Sequence, residues 1–528
     1  MRATLWTAHR WLGVVTCLAI LLWGLSGVMH PIMSRLQPKP AAFMPPDLAW
    51  DASQAPDPTR WLHAQGLAQV HSLHGVGLQG QPHWLAHAEP SRPGVLMRAS
   101  DGQVVPEGER QLAEALARHY TGLSDIPLAG VRLVTAFDER YLSVNRLLPV
   151  WEVRFARDDG LTAYIDTRQM RLATLSNDTR QTLGQVFRWA HNWSFLDGWP
   201  WLQRSVMSLA LLAAALSAAT GVYFWWALRR SAAQRLAHRP LKRWHRRLGL
   251  VVALTSLTFA SSGAFHLWTK VARQSAPQVV APATPPLGPV RALQPAAWAA
   301  VQALGTVGRV DLIAHQGLPA WWVHPAGHSG PRAQVAGLAQ PAQPAQPAEH
   351  AHHGPPGHTP PPPHTAPGRA SSSTGPTLVA ADGTVLKEAA PLLARALAAH
   401  HSGLRADSLG ATTLVTRFEG EYGFLNKRLP VWRVDTSAPG NPRYYVELGT
   451  GALASRVDDL DALEGYVFSV LHKWHVGNIP KDLRDGLSAS FALGNVIVAL
   501  MGMVLFLRRG RSRWPSLRHP PDSGPRPH

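Results

Sequence analysis

Cysteine is almost missing from this chain of 528 residues: Cys17 is the only one. A single thiol excludes intrachain disulfides, cysteine-held iron–sulfur clusters, zinc–cysteine sites and the Cys-x-x-Cys-His attachment of c-type haem. Any metal centre must then be held by histidine, carboxylate or methionine. Acidic residues are scarce too, 33 Asp and Glu against 51 Lys and Arg. The net charge of +18 would suit a polyanion, but its distribution argues for another cause. Eight Arg and Lys and no acid lie between Arg229 and Arg247, and six Arg follow Leu507 against the single Asp522. A membrane protein concentrates basic residues in this way on its cytoplasmic side, so no nucleic-acid partner is expected. A flavin or nicotinamide site is also lacking. Gly75-Val76-Gly77-Leu78-Gln79-Gly80 has the Gly-x-Gly-x-x-Gly spacing, but Gln81-Pro82-His83-Trp84 follows where a helix N-terminus would have to receive the pyrophosphate. The stretch reads as a glycine-rich hairpin turn.

What the chain has is long apolar runs. Four of them, Trp11–Met33, Leu202–Leu228, Leu248–Trp268 and Leu487–Leu507, are nearly free of charge and long enough to span a bilayer. The first follows Arg2 and Arg10 as a signal peptide would, yet it is long and lacks a small-x-small cleavage site. The basic segments place both termini and the 230–245 loop in the cytoplasm, with 36–200 and 270–485 outside. The expected order is helix 1–35, outer segment 36–200, helix 201–229, cytoplasmic loop 230–245, helix 246–269, outer segment 270–485, helix 486–508 and basic tail 509–528. Within the first outer segment, Asp101-Gly102 marks a turn between β-prone runs. A helix is expected at Gly108–Tyr120, and strands at Val131–Ala136, Val150–Phe155 and Thr162–Ile165, which together make a small α+β module.

The second half repeats the first. His9-Arg10-Trp11-Leu12-Gly13 with His30 returns as His245-Arg246-Arg247-Leu248-Gly249 with His266, an offset of 236. Asp101-Gly102, Tyr141 with Leu148-Pro149-Val150-Trp151, and Phe187-x-x-x-His191-x-Trp193 return 281 residues later, ending in Phe468-x-x-x-His472-x-Trp474. The difference of 45 locates an insertion. The Pro/Ala/Gln/His-rich stretch 334–374 fits it as a solvated tether, with His350, His352, His353, His358 and His364 as loose metal-binding candidates.

Three histidine pairs therefore stay in register while the apolar residues between them drift. On each helix the two histidines stand 21 residues apart, which at about 1.5 Å per residue is roughly the hydrocarbon thickness of a bilayer. Histidines facing one another across a bundle are what low-spin haem b needs, one axial nitrogen on each side of the iron. His9 and His245 are expected to hold one haem near the cytoplasmic face. A second, outer haem can draw on His30 and His266 or on His191 and His472, with His475 an additional candidate, and the sequence does not choose. Gly13, Gly27, Gly249 and Gly263 suit either close helix packing or a flat cofactor. Trp6, Trp11, Trp199, Trp201, Trp225, Trp226, Trp244 and Trp268 read as an aromatic belt.

In this order and duplication, His-Arg-Trp-Leu-Gly…Ser-Gly-x-x-His, the Leu-Pro-Val-Trp strands and Thr220-Gly221-Val222-Tyr223-Phe224-Trp225-Trp226 resemble the PepSY-associated transmembrane family. That family includes iron-regulated inner-membrane proteins and ferric-siderophore reductases. The resemblance covers nearly the whole chain outside the insertion. It implies an internally duplicated bundle of four transmembrane helices in the bacterial inner membrane, two α+β PepSY-like periplasmic domains, and haem b on the histidines named above. Met501-Gly502-Met503-Val504 departs from the Thr-Gly signature, which weakens the equivalence of the two helix ends. The function implied is an electron conduit that takes electrons from a cytoplasmic flavoprotein or a quinol and reduces a periplasmic ferric chelate. Two alternatives remain open: a non-enzymatic PepSY sensor or accessory subunit of iron uptake, and a metal- or proton-coupled transporter.

Overall fold

The computed structural model describes residues 2–46, 48–67, 69–229, 239–275, 284–326, 375–477 and 479–511. The insertion, with His350, His352, His353, His358 and His364, lies outside the described residues, as do 230–238 of the basic loop and 512–528 of the tail. The helices that matter below are α1 (Arg2–Leu36), α2 (Gly108–Thr121), α3 (Asp178–His191), α4 (Pro200–Ala227), α5 (Pro240–Ser275), α6 (Ala390–Ser402), α7 (Asp459–Val467) and α8 (Lys481–Arg511). The chain divides into two compact units.

One unit, residues 1–33, 184–273 and 467–528, is a bundle of α1, α4, α5 and α8. All four helices are long and apolar enough to cross a membrane. Their packing runs round a ring. Trp6 of α1 meets Phe224 of α4 edge-on at 5.2 Å, and Arg246 of α5 donates to the Trp225 carbonyl of α4 at 2.8 Å. Ser256 of α5 hydrogen-bonds Asn495 of α8, and Cys17 of α1 faces the Ala499 carbonyl of α8 at 3.9 Å. Between apolar helices such polar links and close approaches supply the specificity that a hydrophobic effect cannot. The glycines at the closest approaches are Gly24 and Gly494, where a Cβ would stand 2.5 Å from Val496 and 2.8 Å from Val252. Gly13, by contrast, faces open space, so its place in the sequence pattern is not explained by packing. Trp11, Trp199, Trp201, Trp226, Trp244 and Trp268 are exposed at helix ends, where an interfacial belt would lie.

The other unit, residues 34–183 and 274–466, is α+β. Its first segment carries β1 (Trp50–Asp51), β2 (Ser72–Leu78), β3 (Gln81–His87), β4 (Val95–Arg98), β5 (Leu128–Val134), β6 (Val150–Phe155), β7 (Thr162–Asp166) and β8 (Arg171–Ser176). Its second carries β9 (Thr306–His315), β10 (Leu318–Pro325), β11 (Thr377–Val379), β12 (Val385–Leu386), β13 (Leu409–Val415), β14 (Val431–Thr436), β15 (Arg443–Glu447) and β16 (Ala452–Val457). Strands β5–β8 and β13–β16 form two separate four-stranded meanders, covered by α2 and α6 respectively. The remaining strands form a single sheet in the order β12-β11-β10-β9-β2-β3-β4, with β1 beside β9. The two outer segments, expected as separate domains, thus share one sheet. The antiparallel β2–β9 pair joins them, with Leu73 opposite Leu312 and His74 opposite Asp311. Both strands would otherwise leave an edge of unpaired backbone groups, and a core of Trp50, Trp84, Trp298 and Trp321 closes over the joint.

The Gly-x-Gly-x-x-Gly stretch is a hairpin. Gln79 and Gly80 both take positive φ, at 52° and 74°, between β2 and β3, as a tight two-residue turn requires. Helix α2 begins at the expected Gly108, and β6 has the expected bounds.

Candidate functional site

The site lies within the helical bundle and has an inner and an outer histidine pair. At the inner pair, the α1 register brings His9 Nδ1 to 2.9 Å from Thr220 Oγ1 of α4. On the opposite helices, His245 Nδ1 of α5 lies 3.2 Å from the Val498 carbonyl of α8. Each imidazole is thus fixed through one nitrogen, which sets the tautomer and leaves Nε2 as the atom suited to a metal. Glycine makes room for each ring. A Cβ on Gly221 would stand 3.4 Å from His9 Cε1, and one on Gly502 would stand 3.3 Å from His245 Cε1. Gly502 therefore occupies the position beside His245 that Gly221 occupies beside His9, and of the Thr-Gly signature only the threonine is replaced. The two histidines are close enough to feel one another's charge.

The outer pair is more closely matched. Ser26 Oγ of α1 lies 2.9 Å from His191 Nδ1, and Ser262 Oγ of α5 lies 3.1 Å from His472 Nδ1. Each ring stacks on the phenylalanine four residues earlier, His191 on Phe187 at 4.7 Å and His472 on Phe468 at 4.5 Å. Their backbones differ. His191 ends the regular helix α3, whereas Phe468–His472 is a π-helical turn continuing α7, a distortion that often re-aims a functional side chain. Both chains then reverse through a left-handed tryptophan, Trp193 (φ 55°) and Trp474 (φ 56°). Trp193 stacks on Trp23 at 5.1 Å, and the Trp23 indole donates to the His191 carbonyl at 3.0 Å. Trp474 instead packs on Phe259, which has no such donor.

The His191 and His472 ring centres lie 6.3 Å apart with their planes at 90°. Metal–imidazole bonds of about 2 Å put two rings bound trans to one ion about 6 Å apart, so this spacing fits a shared iron. Burial, with a smaller push from neighbouring histidines, lowers His191 to about 4 and His472 to about 3. Both rings are neutral near pH 7, the form that ligates metal.

His30 and His266 belong to the same cluster, within electrostatic reach of His191 and His472. They pack against the same phenylalanines, His30 on Phe187 at 5.8 Å and His266 on Phe468 at 4.7 Å. His475 instead turns to Ser469 Oγ at 3.1 Å. Among the described residues no three His, Cys, Asp or Glu side chains group as an ion site, so the histidines act as pairs. Sequence reasoning located the histidines but assigned no role to Ser26, Ser262 or Thr220. The signal was present in the repeated Ser-Gly-x-x-His and in Thr220-Gly221, whose meaning depends on which helices become neighbours. No family model matches the chain, and no curated protein matches it.

Proposed function

We propose that this protein is a haem b electron conduit of a bacterial inner membrane that reduces a ferric chelate, most simply a ferric siderophore, outside the cytoplasm. The observation that carries the reading is the outer pair, two neutral imidazoles 6.3 Å apart and each anchored at Nδ1 by a serine. His9 and His245 would hold the inner haem, and His191 and His472 the outer one. A haem iron at each position supplies one-electron redox chemistry.

The protein's own residues hold, orient and shield. Thr220, the Val498 carbonyl, Ser26 and Ser262 fix ring orientation, and such partners usually change metal affinity 10- to 100-fold when removed. Phe187 and Phe468 keep the outer rings in an apolar setting, while His30 and His266 position those phenylalanines. Reduction of Fe(III) to Fe(II) by one electron weakens its bonds to hard oxygen ligands and favours iron release. The basic segments orient both termini and the 230–245 loop to the cytoplasm. Since that loop is too short for a flavin or nicotinamide domain, the donor is a separate flavoprotein or a quinol. The α+β unit then lies in the periplasm, built from the two repeats.

Anaerobic reoxidation tests the reading. The dithionite-reduced protein should reoxidise when ferric citrate is added and stay reduced with gallium citrate, a redox-inert analogue. A reduced protein indifferent to every ferric chelate would overturn the reductase assignment and favour a sensor or accessory subunit.

A further inference from the structure

The α+β unit contains a cleft of about 290 Å³ bounded by β2, β9, the β7–β8 turn and the β15–β16 turn. Leu147, Leu287 and Leu397 supply apolar lining, and Arg168 and Arg428 line it as cations. The charges here are paired, with one exception. Arg428 meets Glu447 at 2.5 Å, Arg171 bridges Asp166 and Glu447 at 2.8 Å each, and Arg309 holds Asp311 at 2.8 Å. Glu109 is taken by His87, Thr167 and the Gly94 N–H. Arg168 has no carboxylate of its own. It donates from Nη2 to the Pro90 carbonyl at 2.7 Å, and its Nε is buried without an acceptor. The next side chain repeats the deficit, because Gln169 Nε2 is also buried without an acceptor. It stands beside Gly449 of the cleft lining, where a Cβ would approach it to 3.6 Å.

Unmet buried donors are rare in native proteins and point to a missing partner. Two adjacent donors, one of them on an uncompensated guanidinium, match the two oxygens of a carboxylate. The volume is that of a small-molecule site with an apolar wall.

We propose that this cleft binds a small organic carboxylate, its oxygens on Arg168 and Gln169 and its carbon skeleton against Leu147, Leu287 and Leu397. The carboxylate can belong to a free acid or to a metal chelate. The inference stands independently of the haem reading, because it needs no redox step.

The test is calorimetric titration of the full chain in detergent with adipate and with ferric citrate, using sodium sulfate as the control anion. Saturable binding of adipate, ferric citrate or both is expected, with the stronger ligand showing whether a free acid or a chelate is preferred. Arg168→Ala should weaken it at least tenfold. Gln169→Glu should do the same by placing an internal carboxylate on Arg168, while its ligand-free unfolding midpoint stays at or above that of the natural chain. That midpoint separates lost binding from lost folding. Binding of neither carboxylate, sulfate binding as tight as adipate, or Gln169→Glu binding like the natural chain would each overturn the proposal.

Discussion

The inner and outer histidine pairs meet the same requirement, an imidazole held by one nitrogen, by different means. At the outer pair both anchors are serine hydroxyls and both rings stack on a phenylalanine. At the inner pair one anchor is the Thr220 hydroxyl and the other is the Val498 backbone carbonyl. The difference shows that the glycine is the part of Thr-Gly that cannot be exchanged. A carbonyl already present in helix α8 can replace a hydroxyl, but nothing replaces the space that Gly221 and Gly502 leave beside the rings. An inner anchor made of backbone is also immune to side-chain mutation, whereas both outer anchors are exposed to it.

The largest effects should come from the ligands themselves. His472→Ala and His9→Ala should each remove one haem and leave the other, halving haem per chain by pyridine haemochromogen assay. Loss of both haems from either variant would break the separation into two pairs. His30→Ala and His266→Ala should retain full haem content, which sharpens the outer assignment. If they lose a haem while His191→Ala keeps it, the outer ligands are His30 and His266 instead.

Anchors come next. Ser26→Ala and Ser262→Ala should speed haem transfer to apomyoglobin about tenfold from the outer site. Thr220→Val should act on the inner site, and more weakly, because His245 keeps its backbone partner. Equal effects from all three would erase the contrast between the pairs.

A smaller effect concerns the α+β unit and guards these comparisons against unfolding. Burial would raise the carboxyls of Glu109, Asp311 and Glu447, but paired His87, Arg309 and His74, and Arg171 and Arg428 bring each down to about 2. In the unfolded chain these groups titrate near 4. Their stabilisation is therefore complete above about pH 4 and is lost as pH falls through about 2, of order 2–3 kcal/mol for each group. The unfolding midpoint of this unit should stay flat from pH 7 to 5 and drop below pH 4, and Asp311→Asn should flatten that drop.

Much of this was legible in the sequence. The four spanning helices were, because an uncharged apolar run leaves little choice of structure, and the Gln79-Gly80 turn was, because positive φ at both positions has few other uses. The shared sheet was not legible: Leu73 and Leu312 pair across 239 residues, and no local pattern encodes that partner. Histidine positions could be read from the repeat, but ring orientation could not. The π-helical turn before His472 and the Val498 carbonyl beside His245 exist only once helices are packed. Gly502 was present in the sequence all along, but the missing threonine next to it obscured its match to Gly221.

The most direct measurement is the reduced-minus-oxidised visible spectrum of the purified chain, taken beside the His9→Ala, His472→Ala double variant. The account expects b-type α-bands from about two haems per chain in the natural protein and none in the double variant. A natural chain made in haem-sufficient cells without those bands, or a double variant that keeps them, would contradict it.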